Sequence, residues 1–185
     1  SDRFLFGMDC IALVPEGMPF RPDNALKPGQ KYTAPIDQQA AAVVHRIPVR
    51  PLGTRAEVPL EGLWQVARYD DPDMDVGTYE PLRTLTRKDE APLAWRGIKV
   101  PSDAWTVRPE LSFGHRLVYR TRLDVPKEAM GRSFLLHSEG HAWLTSVFVN
   151  GVLAGTMQAT LVPFDIDISK QIVPGKTNVI DVAIK

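Results

Sequence analysis

Ser146-Val-Phe-Val-Asn-Gly-Val-Leu-Ala-Gly155 consists of two apolar, β-branched runs joined by Asn150-Gly151. That pattern is the strongest short-range signature of a β-hairpin. Both central residues of a type I′ turn need positive φ, which Asn tolerates and Gly adopts freely. Asn150 and Gly151 are therefore expected as a structural turn. Shortly downstream, Val162-Pro-Phe-Asp-Ile-Asp-Ile168 alternates apolar with acidic residues, the period of a half-buried strand.

The same period extends outward on both sides. In Arg116-Leu-Val-Tyr-Arg-Thr-Arg-Leu-Asp-Val125, residues 117, 119, 121, 123 and 125 share one face, and Arg120, Arg122 and Asp124 share the other. Trp64 to Tyr69, Trp95 to Val100, Arg132 to Ser138, Trp143 to Val149, Val152 to Gln158 and Asn178 to Lys185 complete the predicted strands. Pro126-Lys-Glu-Ala-Met-Gly131 suits one helical turn. Seven or eight short strands without a substantial helix predict an all-β sandwich. A jelly roll fits better than an immunoglobulin-like domain, because a single cysteine cannot supply the Cys…Trp…Cys spacing.

Residues 1–57 read differently. Prolines 15, 19, 22, 28, 35, 48 and 51 break any regular element, and only Asp37 to Val44 suggests a turn or two of helix, with Asp37 as N-cap. This segment is expected to be an extended N-terminal arm or linker, and residues 58–185 the sandwich domain.

The chain has 185 residues, 44% of them hydrophobic, enough for a core without disulfide or metal staples. Lys+Arg and Asp+Glu both number 22, which leaves no electrostatic footprint for nucleic acid or an anionic membrane surface. Cys10 is the lone cysteine, expected as a small buried hydrophobe. No apolar run reaches the ~18 residues of a membrane-spanning helix.

Residues 60–185 resemble the N-terminal sugar-binding domain of family 2 glycoside hydrolases, the β-galactosidase and β-glucuronidase group. The residues that carry the resemblance are Leu60-Glu-Gly-Leu-Trp64, Ile98-Lys-Val-Pro-Ser-Asp-Ala-Trp105, Val118 to Pro126, Gly131-Arg-Ser-Phe-Leu-Leu-His137, the Asn150-Gly151 hairpin, Pro163-Phe-Asp-Ile-Asp-Ile-Ser169 and Pro174-Gly-Lys-Thr-Asn178. The resemblance implies a galactose-binding-domain-like jelly roll that precedes an immunoglobulin-like sandwich and a catalytic (β/α)₈ barrel. It implies a retaining glycosidase as the parent protein. The barrel's two glutamates, and the final segment that usually completes the domain, lie outside these residues. Met157-Gln-Ala-Thr-Leu161 stands where the glucuronidase branch has a His-Glu-Gly-Gly wording, so that specificity is not carried over. A periplasmic or secreted setting is an expectation of the resemblance alone.

The residues offer little catalytic chemistry of their own. Glycoside hydrolysis needs two carboxyl groups facing each other across the scissile bond. Asp165 and Asp167 lie two apart on one strand and point to the same side, as a solvated face or a turn-capping pair. Asp70, Asp71, Asp73 and Asp75 suggest oxygen ligands for calcium, but the glycine and terminal glutamate of a calcium loop are missing, and a polar turn is the simpler reading. The expectation is no catalytic residue, no metal ligand and no cofactor, with a structural calcium left open. Of histidines 45, 115, 137 and 141, His137 and His141 are four apart, but a strand and a turn separate them, so helical metal geometry does not apply, and no Gly-x-Ser-x-Gly elbow occurs.

Sugar recognition uses an aromatic face against the C–H face of a pyranose, with polar groups on its hydroxyls. Trp105, Arg108, His115 and Gln158 are the expected ligand-binding residues. Trp64 is expected in the core, and Trp143 in the core or at a domain boundary. The function expected is a non-catalytic, carbohydrate-binding-type domain, whose partners are a carbohydrate and the downstream domains of the parent enzyme. A structural scaffold without its own ligand, or an independent lectin-like protein, are the alternatives.

Overall fold

The computed structural model describes residues 35–51, 53–69, 81–85, 93–102, 104–111, 116–141 and 143–185, without the side chains of residues 35, 105 and 106. All belong to one compact unit that spans Thr33–Lys185. The elements are α1 (Pro35–Ala42), β1 (His45–Arg46), β2 (Gly62–Arg68), β3 (Arg96–Val100), α2 (Ala104–Val107), β4 (Leu117–Val125), β5 (Leu135–Ser138), β6 (Leu144–Val149), β7 (Val152–Gln158), β8 (Phe164–Asp167) and β9 (Lys176–Ile184). Single 3-10 turns occupy Pro109–Leu111 and Lys127–Ala129, the second where proline opens the predicted turn.

The described residues form an all-β sandwich. Its larger sheet runs β3-β2-β4-β9-β6-β7, with antiparallel neighbours throughout, and a smaller sheet pairs β5 with β8. The short β1 pairs parallel with β4, His45 opposite Leu123, taking up the edge beyond Gln65↔Arg120, where the pairing of β2 with β4 ends. β4 and β9 pair from Leu117↔Ile184 to Val125↔Lys176. Strict alternation then gives each residue of this ladder a face.

One face carries Trp64, Val66, Ile98, Leu123, Val125, Val147, Val149, Ile180 and Val182. It closes against Phe164, Ile166 and Ile168, whose intervening Asp165 and Asp167 are exposed as their alternation predicts. Trp64 is 6% exposed, in the core as expected, and its Nε1 donates to the Leu60 carbonyl at 2.6 Å.

The opposite face is covered in two places. At one end Val118, Phe148 and Ala183 pack with Tyr69 and Leu82, joined by Leu85, Leu93, Trp95 and Leu153. Between strands, Arg120 grips Asp181 with Nε at 2.6 Å and Nη2 at 3.0 Å. The Asp181 side chain is 1% exposed, and the guanidinium lies 4.4 Å from the centre of the Trp95 ring. A bidentate, stacked arginine suits this half-dry position better than lysine would.

Elsewhere on that face α1 lies against β2 and β3. The Arg122 Nη1 donates to the Ala41 carbonyl and to Gln65 Oε1. Gly97 faces α1 because nothing larger fits: a Cβ there would stand 2.5 Å from the Ile36 carbonyl oxygen. Asp37 lies inside the first turn of α1, and its buried carboxylate reaches out of the helix. It accepts the Gly97 N–H and, at 2.7 Å, Arg108 Nη2. The helix expected near residue 37 therefore exists, but its acid fastens it to β3. Part of the segment expected as an arm, residues 35–47, is built into the sheet and its cover.

The hairpin turn has φ of 53° at Asn150 and 80° at Gly151, the left-handed values of a type I′ turn. Asn150 also works through its side chain. Its Oδ1 accepts the Val179 N–H at 3.0 Å, and its Nδ2 donates to the Gln171 carbonyl and to Asn178 Oδ1. Asn178 is fully buried and satisfied, accepting from Val173 N–H and donating to the carbonyls of Val173 and Lys176. The turn is thereby bonded to β9 as well as to its own strands.

Asn150→Gly is expected to lower stability by about 1 kcal/mol, since it keeps the φ and loses the amide bonds. Asn150→Val, which also resists positive φ, is expected to cost about 1–2 kcal/mol more. Equal midpoints for the two variants in thermal unfolding would show that φ strain is not part of the cost. Gly97→Ala is expected to cost about 1–3 kcal/mol, read as faster proteolysis within residues 35–47 before global unfolding.

Candidate functional site

Of the four expected ligand residues, the structure describes the side chains of Arg108 and Gln158. Trp105 falls in α2, with its side chain outside the described set, and His115 lies outside it, as do Asp70, Asp71, Asp73, Asp75 and Cys10. Arg108 is placed, and its guanidinium is committed inward. Its Nε donates to the Gly97 carbonyl at 2.7 Å, its Nη2 donates to the same carbonyl and to Asp37 Oδ1, and Nη1 is 3.6 Å from Glu110. Gln158 is exposed at the end of β7, opposite Leu144.

That end of the larger sheet holds the most unusual backbone of the described chain. Two large apolar residues take left-handed φ, 71° at Trp143 and 54° at Leu161. Such a conformation costs a non-glycine residue on the order of 1–2 kcal/mol. Both are exposed, Trp143 by 47% and Leu161 by 74%, and the adjacent Val162 by 47%. Neither expense nor exposure serves the core. In the sequence Trp143 is a candidate aromatic, placed in the core or at a domain boundary because it begins the strand before the hairpin.

Residues 139–141 and 143 meet the loop 159–163 at this end. Ala159 N–H donates to the Trp143 carbonyl at 3.1 Å, and Leu161 N–H to the His141 carbonyl at 3.3 Å. Gly140 permits the contact, since a Cβ on it would stand 2.8 Å from the backbone nitrogen of Val162. Beneath lies the imidazole of His141, with Nδ1 3.1 Å from Ser138 Oγ and Nε2 2.7 Å from Thr145 Oγ1. Phe164 packs on it edge-on, centroids 5.2 Å apart. Burial pushes the His141 pKa down.

A second histidine behaves oppositely. His137 sits across from Asp165 on the exposed face of the small sheet, Nδ1 to Oδ1 2.8 Å, with Glu139 3.5 Å from Nε2. The hydrogen bond to Asp165, helped by Glu139, raises its pKa. Asp167 Oδ1 caps the following turn through Ser169 N–H at 2.9 Å, and its hydrogen bonds to Ser169 hold its carboxyl below the usual range. Both aspartates thus serve the surface and the turn. Among the described residues, no three His, Cys, Asp or Glu side chains are placed to hold a metal ion. Among them, too, no helix is long and apolar enough to cross a membrane.

No family model matches the chain, and no curated protein matches it. Solved structures do. A β-glucuronidase of Faecalibacterium prausnitzii matches 75% of this chain with 22% of its own, at 18% identity and a TM-score of 0.54. A β-D-glucuronidase of Dictyoglomus thermophilum matches 68% with 19% of its own, at 19% identity and 0.51. The β-glucuronidase of Ruminococcus gnavus in complex with D-glucaro 1,5-lactone matches 76% with 23% of its own, at 19% identity and 0.51. The fold is shared with one part of these enzymes. The chain spans less than a quarter of their length.

Leu161→Gly is expected to leave stability unchanged or raise it by about 0.5–1 kcal/mol, as relief of φ offsets the added chain entropy. A lowered unfolding midpoint would mean that the exposed leucine packs more than its surface area indicates.

Proposed function

We propose that this chain is a non-catalytic, carbohydrate-binding-type jelly roll from the N-terminal part of a family 2 glycoside hydrolase acting on β-linked glycosides. Hydrolysis in such a protein belongs to carboxylates outside these residues. The sugar contact lies at the loop pair, with Trp143 as the stacking surface and Gln158 as a neighbouring hydroxyl partner. The observation that carries this reading is a half-exposed tryptophan held in a costly left-handed backbone beside an exposed amide. Strain of this kind persists where the surrounding structure fixes it for a use. The fold shared with β-glucuronidases supports the family, and it leaves the sugar open.

Leu161 and Val162 favour a second reading. Aliphatic side chains offer nothing to hydroxyl groups, and an exposed apolar group suits packing against another domain of a longer protein. On that reading the chain is scaffold, and the same end is a domain boundary.

Titration calorimetry of the 185-residue chain against β-glucuronides, β-galactosides and plant oligosaccharides separates the two. Binding that Trp143→Ala weakens at least about tenfold, equal to about 1.4 kcal/mol, while unfolding stays cooperative, supports the sugar reading. No heat with any ligand leaves the scaffold.

A further inference from the structure

We propose that Asn150 is a covalent modification site gated by the hairpin. Its side-chain amide is held unreactive while the turn is docked on β9, and it converts to an aspartyl or isoaspartyl residue once the turn has left. The inference stands apart from both the sugar and the scaffold readings.

The chemistry is that of an asparagine followed by glycine. The Gly151 backbone nitrogen attacks Asn150 Cγ and forms a C–N bond. The Cγ–Nδ2 bond breaks, and the Gly151 N–H proton leaves with Nδ2 as ammonia. Water then opens the succinimide ring at one of its two carbonyls, which gives aspartyl or isoaspartyl. A side chain on the following residue hinders the attack, and Gly151 has none. A Cβ placed on it would meet nothing within 4 Å. Asn150 and Gly151 are both exposed, so water and base reach them, and burial does not protect the pair. The other asparagines, Asn24 and Asn178, precede Ala25 and Val179.

The protection lies in hydrogen bonding. Attack requires the Asn150 side chain to swing until Cγ meets the Gly151 nitrogen, and both ends of the amide are bound elsewhere. Oδ1 accepts Val179 N–H at 3.0 Å, and Nδ2 donates to the Gln171 carbonyl at 2.9 Å and to Asn178 Oδ1 at 2.8 Å. The Asn150 N–H donates to the Val179 carbonyl at 2.8 Å, so backbone and side chain clasp the same residue of β9. Gln171 is fixed in turn, since its Nε2 donates to the Leu153 carbonyl on β7. The swing breaks the side-chain bonds to both segments, and it becomes available when the turn separates from them.

The same network makes the change one-way. In the aspartyl product an oxygen stands where Nδ2 stood. It faces the Gln171 carbonyl oxygen and Asn178 Oδ1, and neither can give it a proton. Asn178 is held against reversing its amide. It is fully buried, its Oδ1 accepts Val173 N–H at 2.8 Å, and its Nδ2 donates to the carbonyls of Val173 and Lys176 at 3.1 and 3.0 Å. The isoaspartyl product adds an atom to the main chain inside a two-residue turn, whose length sets the strand register. Either product returns to the fold with a weakened turn.

Peptide mapping by mass spectrometry of the 185-residue chain tests this, in one mildly alkaline buffer with and without denaturing guanidinium chloride. In denaturant, residue 150 is expected to convert to aspartyl and isoaspartyl. Without denaturant the conversion is expected to be at least about tenfold slower, a ratio that reports the opening of the turn. A chain held in denaturant until residue 150 has converted, then refolded, is expected to unfold at a lower temperature than one refolded at once. Asn150→Gly, which keeps the turn without the amide, is expected to show no such shift after the same treatment. No conversion at residue 150 in denaturant, or a ratio below about tenfold, overturns the proposal. An unchanged unfolding temperature after conversion, or an equal shift in Asn150→Gly, overturns it as well.

Discussion

The full-length pairing of β4 with β9 is the constraint on which the rest depends. Leu117↔Ile184 through Val125↔Lys176 fixes the register of the two longest strands, and with it the face of every side chain they carry. The small sheet can bury Phe164, Ile166 and Ile168 only because Leu123, Val125, Ile180 and Val182 all stand on one side. The same register places Arg120 opposite Asp181 on the other side. A slip of either strand by one residue would turn one member of that pair into the apolar core and leave it a buried charge without its partner, which is strongly destabilising. The pair therefore contributes to the choice of register as well as to stability.

From this ladder two kinds of attachment extend. Near β3, the fit is steric and ionic: Gly97 makes space, Asp37 enters it, and Arg108 closes it. Near the hairpin, the fit is neutral and amide-based, through Asn150 and Asn178. At both ends the side chains named here find partners. The end at Trp143 differs. There the chain spends backbone strain on exposed apolar residues and rests them on a histidine between two hydroxyls. The contrast between satisfied and strained ends is why function is sought at this one.

The local period revealed the strands because in a sandwich each strand is half-buried, and burial writes itself into alternation. Residues 117–125 and 164–168 show this directly. Residue roles were less legible. Arg108 looks like a ligand-binding cation in the sequence, and it is committed to a carboxylate that lies 71 positions away. Asp37 looks like a helix cap, and its partner is the amide of Gly97. Trp143 looks like the start of a buried strand, and its left-handed φ takes it out of the alternation.

By itself, the sequence determined the element type, the turn at Asn150-Gly151 and the faces of the long strands, because these depend on neighbours within a few residues. Only the tertiary structure decided which charges are spent internally, which tryptophan is exposed and which histidine lies half-buried between hydroxyls. Those properties depend on residues far apart in the chain that meet only once the sheets have closed.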